Sequence, residues 1–361
     1  MRNLILVAAA SVVLTLAAPV TNVPITKYAG SVKPNSYIIK LKNNASKDSH
    51  IADLLSISSE LKITYKYKEA FHGYAVELQG GALDFVKRSS QVEYIIEDGF
   101  VALDSDVSEP VGEMKRIVMQ EDQLPMSIRT DGAGVDIYSL DTGIQINHTS
   151  FGGRAHWGKT FGGYRPSKLK IDTAGTAVGD AYGVATSSNI IAVKVLDDSG
   201  LGQWSDIIAG IDYVIAQSTQ FDRPSIATLS LSGSRYTPVD MAVTNAISKG
   251  IHFTVAAGNL GIDAGGSSPA HVEAANTIGA TDSNNARAWL SNFGSSIDVW
   301  ALGVDVTSAW IGPSGTETMV LSGTSMATPF VADLSKDLKN HARPVVKGAP
   351  NGTTNLLVAQ W

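Results

Sequence analysis

The sequence predicts an α/β fold: a parallel sheet with helices on both faces, preceded by a small, separate α+β unit. Three observations carry that expectation. From Asp131 onward, strand-like and helix-like runs alternate, the pattern of a parallel sheet covered on both faces. Residues 36–103 instead run in the order β-α-β-β-α-β, a compact split unit of its own. Between the two, residues 104–109 are acidic and polar and end at Pro110, as a linker would.

The first unit is read as follows. Residues 37–41 alternate into a strand, and 50–61 have helical spacing with Ile51, Leu54, Leu55 and Leu61 on one side. Residues 65–78 give strand material broken at His72-Gly73; 82–88 form a short helix and 92–96 a strand. The order is ferredoxin-like. In the second unit, 134–140 form a strand ending in Asp141 and 190–195 a second strand followed by the loop at 197–200. Residues 205–217 form a helix, 226–231 a strand, 238–248 a helix and 251–256 a strand.

The chain opens with Arg2, an apolar run over 4–16 and Ala17-Ala18-Pro19. This is the grammar of a secretory signal peptide over 1–18; a membrane anchor is the alternative, although the run is shorter than the ~20 residues a span needs. Secretion and an extracellular location follow as expectations. With 28 Lys+Arg against 34 Asp+Glu the net charge is −6, which argues against a nucleic-acid footprint. There are no cysteines, so no disulfide supports the secreted chain. Acceptor triplets at Asn44, Asn147 and Asn351 are candidate glycosylation sites.

Three segments carry the chemistry. Ser325 lies in Ser322-Gly323-Thr324-Ser325-Met326-Ala327-Thr328-Pro329, at a predicted helix start. A serine there faces solvent from a helix N-terminus, or serves only as an N-cap. Asp141, in Leu140-Asp141-Thr142-Gly143, ends a strand, where open α/β sheets place active sites; the tripeptide is also a common turn. Asn259 ends Val255-Ala256-Ala257-Gly258-Asn259, a donor for an oxyanion or a simple turn.

These runs, in this order, resemble the secreted subtilisin-like serine proteases of the proteinase K-like branch. Phe71-His72-Gly73-Tyr74 and the run Val92-Glu93-Tyr94-Ile95-Ile96-Glu97 resemble their inhibitor-type propeptide; a free-standing ferredoxin-like domain is the alternative. The resemblance implies a signal peptide at 1–18, a propeptide at 19–106 and a peptidase domain at 107–361. It implies a monomeric endopeptidase acting on proteins or peptides, inhibited by its own propeptide and needing no cofactor. Ser325 would attack the scissile carbonyl, Asn259 would hold the oxyanion and Asp141 would orient a histidine. Leu231, Ser232, Gly233 and Gly202 would line the peptide groove, with serines at 232 and 234 where the family has glycines; a buried core strand is the plainer account of 229–234. A structural calcium would sit on Glu273, Ala275 and Asp298, which otherwise read as solvated surface.

The family's base histidine is absent from its place. Between flanks that match, the stretch reads Lys168-Leu169-Lys170-Ile171-Asp172 and puts Asp172 at that position; 333–345 also depart from the pattern. Three readings remain open: misplaced exon junctions at 165–173 and 333–345, a catalytically inactive binding homologue, or an acid-active serine–carboxylate variant using Asp172. An aspartate with an ordinary pKa near ~3.9 is a poor base at neutral pH.

Overall fold

The computed structural model describes residues 22–103, 132–165, 174–221, 223–332 and 342–358. The expected signal segment, the linker at 104–109, Asp172 and most of 333–345 lie outside the described residues.

The N-terminal unit contains β1 (Ile25–Thr26), β2 (Val32–Leu41), α1 (Lys47–Ile57), β3 (Lys62–Lys66), β4 (Gly73–Glu77), α2 (Gly80–Arg88) and β5 (Val92–Leu103). Its sheet runs β5-β2-β4-β3, all antiparallel neighbours, with β1 added parallel to β5. Ile39, Leu41, Ile51, Leu54, Val76, Val86 and Ile95 form its core. Helix α1 starts earlier than the spacing predicts because Ser46 caps it, its hydroxyl accepting from Ser49 N. It also ends earlier, so Leu61 is buried beyond the helix, while Leu55 is 49% exposed rather than on the buried face.

The second unit contains β6 (Asp136–Asp141), β7 (Ala155–Thr160), α3 (Ala174–Val178), β8 (Asn189–Lys194), β9 (Leu201–Gln203), α4 (Trp204–Phe221), β10 (Ser225–Leu229), β11 (Leu231–Ser234) and α5 (Thr237–Ser248). After these come β12 (His252–Ala256), β13 (Ser267–Ser268), β14 (Asn276–Thr281), β15 (Val299–Leu302), β16 (Val306–Ala309), β17 (Thr318–Leu321), α6 (Thr324–Phe330), β18 (Ala342–Pro344) and β19 (Leu356–Val358). Nine strands build the main sheet in the order β18-β19-β15-β14-β12-β10-β6-β8-β7, parallel except for β18 on β19. Strand β6 lies between β8 and β10, where the chain order reverses, and such a switch point opens a crevice at the strand ends. Asp141 is the last residue of β6.

The two units share one hydrophobic core. Ile38, Tyr67, Phe71 and Val101 of the first pack with Trp204, Ile208 and Tyr236 of the second. Trp204 is fully buried and stacks on Tyr236, whose ring meets Tyr28 edge-on. Polar ties fix the register of docking. The Asp212 carboxylate on α4 accepts from the backbone amides of Lys68, Glu69 and Ala70 at 2.9, 2.6 and 2.7 Å. The Asn245 side-chain amide on α5 donates to the carbonyls of Glu69 and Ala70 at 2.6 and 3.0 Å.

Hydrogen bonds to a charged acceptor contribute about 1.5–3 kcal/mol each at most, so three on one carboxylate make Asp212 a principal anchor. Replacing it, Asp212→Ala, is expected to speed hydrogen exchange at the Glu69 and Ala70 amides by roughly 10–100-fold while amides in β10 and β12 keep their rates.

Candidate active site

Four elements, β6, β9, β11 and α6, and the loop after β12 carry the candidate catalytic and groove residues that lie within the described residues. Asp141 ends β6 and is 2% exposed; its Oδ1 accepts from the Thr142 amide at 2.7 Å. The Asp141 carbonyl accepts from the amides of Val195 and Leu196, which ties the end of β6 to the loop after β8. Lys194, fully buried and paired in register with Asp141, donates Nζ to Thr142 O at 2.5 Å and to Asp198 at 2.9 Å. A buried ammonium needs such partners, and here they hold the turn that follows Asp141.

Ser325 lies in the first turn of α6 and is fully buried rather than solvent-facing. Its Oγ donates to Ser230 O at 3.0 Å, and Ser230 Oγ donates back to Ser325 O at 3.1 Å. That pair of bonds also accounts for a second difference from expectation. The predicted strand over 226–231 is broken at Ser230, which separates β10 from β11. Asn259 follows β12. Its Oδ1 accepts from Thr324 N at 2.8 Å and Thr324 Oγ1 at 2.9 Å, so the carbonyl end of the amide is committed to the residue before Ser325. The donor end, Nδ2, is therefore the atom suited to an oxyanion. Gly258 holds φ at +102°, and a Cβ there would stand 3.0 Å from Ser232 Oγ, so loop and groove wall meet closely at this point.

Of the expected groove residues, Gly202, Leu231 and Ser232 come together around one strand. Strand β5 lies antiparallel between β9 and β11: Val101 pairs with Gly202, Leu103 with Leu231 and Ala102 with Ser232. Leu103 N donates to Gly200 O at 2.9 Å. Gly233 pairs instead with Ser268 of β13, one residue further along β11. The N-terminal unit thus occupies the groove as an extended peptide, the geometry of strand addition. Periodicity placed the end of this strand at 96; the chain continues extended to Leu103 because two partner strands take up its amides and carbonyls. Leu103 thus pairs with the residue after Ser230, whose carbonyl accepts from the Ser325 hydroxyl.

Four histidines commit a ring nitrogen elsewhere: His50 to Tyr74 at 3.1 Å, His72 to Ala45 O at 2.9 Å, His148 to Glu317 O at 2.9 Å and His271 to Asp240 at 2.8 Å. Asp298 lies beside Thr277, whose amide donates to its Oδ2 at 2.9 Å. Glu273 is exposed and Ala275 buried. Among the described residues no group of three or more His, Cys, Asp or Glu gathers around a metal position. Asn44, Asn147 and Asn351 are all solvent-exposed.

Residues 132–349 match the subtilase family, and residues 36–104 match the peptidase inhibitor I9 family. The chain is 39% identical to subtilisin-like protease 2 of Pseudogymnoascus destructans, over 83% of this chain and 79% of that one. It is 34% identical to proteinase R of Parengyodontium album, over 90% of this chain and 84% of that one. Among solved structures it resembles a cold-adapted subtilisin-like serine proteinase, with a TM-score of 0.58, 38% identity and coverage of 63% of this chain and 89% of that one. It also shares its fold with fervidolysin from Fervidobacterium pennivorans, with a TM-score of 0.72 at 17% identity over 94% of this chain and 63% of that one.

The strand in the groove carries a titratable group. Asp98 on β5 is buried, with only neutral donors on its carboxylate: Ser205 N at 3.0 Å and Ser36 Oγ at 3.1 Å. Burial pushes its pKa up to about 6. Burial also raises Asp206, beneath Tyr65 and Tyr164 in the same interface. A carboxyl whose pKa is raised on docking binds its proton more tightly in the docked state. The contribution of Asp98 to docking is therefore greatest below about pH 4, falls as pH climbs to about 6, and levels off above, a span of about 2–3 kcal/mol at most. Hydrogen exchange across the β5–β11 contact, corrected for its intrinsic pH dependence, is expected to carry this component between pH 4 and 7, and Asp98→Asn to remove it while the component from Asp206 stays.

Proposed function

The chain belongs to the subtilase family, and from that premise we propose that it is a secreted serine endopeptidase held inactive by its own inhibitor unit. The observation that carries this reading is β5 seated between β9 and β11 and running toward Ser325. A groove that takes one extended chain by its backbone suits peptide substrates in general, with side-chain pockets setting preference. In this reading 1–18 is a signal peptide, 19–106 the propeptide and 107–361 the peptidase. Ser325 attacks the scissile carbonyl, and Asn259 Nδ2 with the Ser325 amide steadies the developing oxyanion. Asp141 orients the family's base histidine, which this sequence does not show at its place and which this reading recovers through a misplaced junction at 165–173. Leu231, Ser232 and Gly202 align the substrate, and the side chain of Ser232 narrows the pocket beside Gly258. A calcium on Asp298 and the carbonyls of Glu273 and Ala275 would act as a structural ion, and the chain works as a monomer.

A second reading rests on the base. His50, His72, His148 and His271 are engaged away from Asp141, and the sequence puts Asp172 where the family has its histidine. A chain lacking that base is a binding protein that keeps the groove, or an acid enzyme that works through Asp172.

N-terminal sequencing of the pure recombinant chain separates these readings. A peptidase is expected to yield a new terminus within residues 107–114, and Ser325→Ala to abolish it. Retention of residues 20–105 at every pH from 3 to 9 would mean a binding protein. Processing confined to acid and lost in Asp172→Asn would assign the base to that carboxylate. In an active chain, Asn259→Ala is expected to lower kcat by roughly 10²–10³, the loss known for this donor in the subtilisins, which are the type case. Sequencing the transcript across the codons for residues 160–176 tests the misplaced junction directly.

A further inference from the structure

Asn292 lies in the loop between β14 and β15 and is fully buried. Its side-chain amide and its backbone N–H turn to the segment that carries Asn259, while its carbonyl accepts from Ser291 Oγ at 2.9 Å. Nδ2 donates to Ala257 O at 2.8 Å. Oδ1 accepts from Leu260 N at 3.1 Å and Ile262 N at 3.0 Å. Its backbone amide donates to Gly258 O at 2.8 Å. Asn259 is bracketed by these ties, at 257 and 258 on one side and at 260 and 262 on the other.

Apolar packing does little for this segment. Leu260 is 76% exposed and Ile262 47% exposed, so the large apolar side chains that follow Asn259 hold it only weakly. Hydrogen bonds hold the backbone instead, those of Asn292 together with Gly261 N to Leu290 O and Phe293 N to Ile262 O. The fit around the amide is close. Gly258 sits at φ +102°, and a Cβ there would come within 2.3 Å of Asn292 Nδ2. A side-chain amide inserted into a turn, satisfied on both its donor and acceptor ends, fixes that turn in one geometry.

We propose that Asn292 is a positioning residue for the hydrolytic reaction: it fixes the 257–262 turn so that Asn259 Nδ2 points at the developing oxyanion. The proposal rests on the peptidase reading above. An oxyanion donor must lie about 2.7–3.1 Å from the charge it meets, and displacement by about 1 Å can cost on the order of 10²-fold in rate. Thr324 fixes the carbonyl end of the Asn259 amide; Asn292 fixes the backbone from which that amide projects.

The test uses the full chain carrying Asn292→Ala. Backbone hydrogen exchange is read first. The amides of Leu260 and Ile262 are expected to exchange at least about tenfold faster, while those of Val255 and Ile278 in the sheet keep their rates. Unchanged exchange at 260 and 262, or uniform acceleration through the sheet, overturns the proposal. This readout needs no turnover, so it decides whether Asn292 fixes the turn even in a chain that cleaves nothing; a wild-type chain that cleaves nothing overturns the peptidase reading and with it the catalytic role, separately from the turn. Where the chain cleaves a chromogenic peptide, kcat is expected to fall about 10–100-fold with KM within about twofold, because the donor acts on the transition state. In an Asn259→Ala background the same substitution is expected to add nothing further. An equal fall in both backgrounds, or a change confined to KM, overturns it. Should Asn292→Ala fail to fold, Asn292→Ser, which keeps a short neutral polar group in the site, is expected to show the same pattern at smaller amplitude.

Discussion

Strand β5 between β9 and β11 is the interaction on which the rest of the arrangement depends. Neither β9, with three residues, nor β11, with four, makes a sheet alone; each presents an edge that calls for a partner. By filling the space between them, β5 joins the sheet of the N-terminal unit to strands of the peptidase in a single eight-stranded assembly. The same insertion brings Asp98 onto the start of α4, lays Val101 among the side chains around Trp204, and delivers Leu103 to the residue next to Ser230. The inhibitor unit and the groove are one hydrogen-bonded structure.

Around the groove the reactive groups are placed by backbone and not by reach. Asp141 is set by the end of β6, Ser325 by the first turn of α6 against Ser230, and Asn259 by Thr324. Short tethers of this kind leave few rotamers to freeze, which suits a site whose donors must be in place before charge develops.

Much of this was legible in the sequence, for identifiable reasons. The β-α-β-β-α-β order of the first unit could be read because each element buries one face of its own core. Asp141, Asn259 and Ser325 could be read because they sit in runs whose neighbours are as distinctive as the residues themselves. What escaped depends on partners distant in the chain. The extension of β5 past Ile96 runs through Asp98-Gly99, which locally reads as a break, and only β9 and β11 make it a strand. The division at Ser230 comes from a contact 95 residues away. Leu55 has the spacing of a core residue and faces water. Asn292 stands in a loop with no motif around it, and its importance arises entirely from what it touches.

The shared core has a consequence for time as well as for structure. Ile38, Tyr67, Phe71 and Val101 are buried against the peptidase, not only against their own unit. A domain of this size is marginal even with its whole core intact. Severed and lifted away, it would expose that apolar face to water and lose part of what keeps it folded. Unfolded chain is also a better substrate than folded chain. In the peptidase reading, departure would then run in one direction: an inhibitor unit that left would be the one least able to return, and activation would behave as a ratchet and not as an equilibrium.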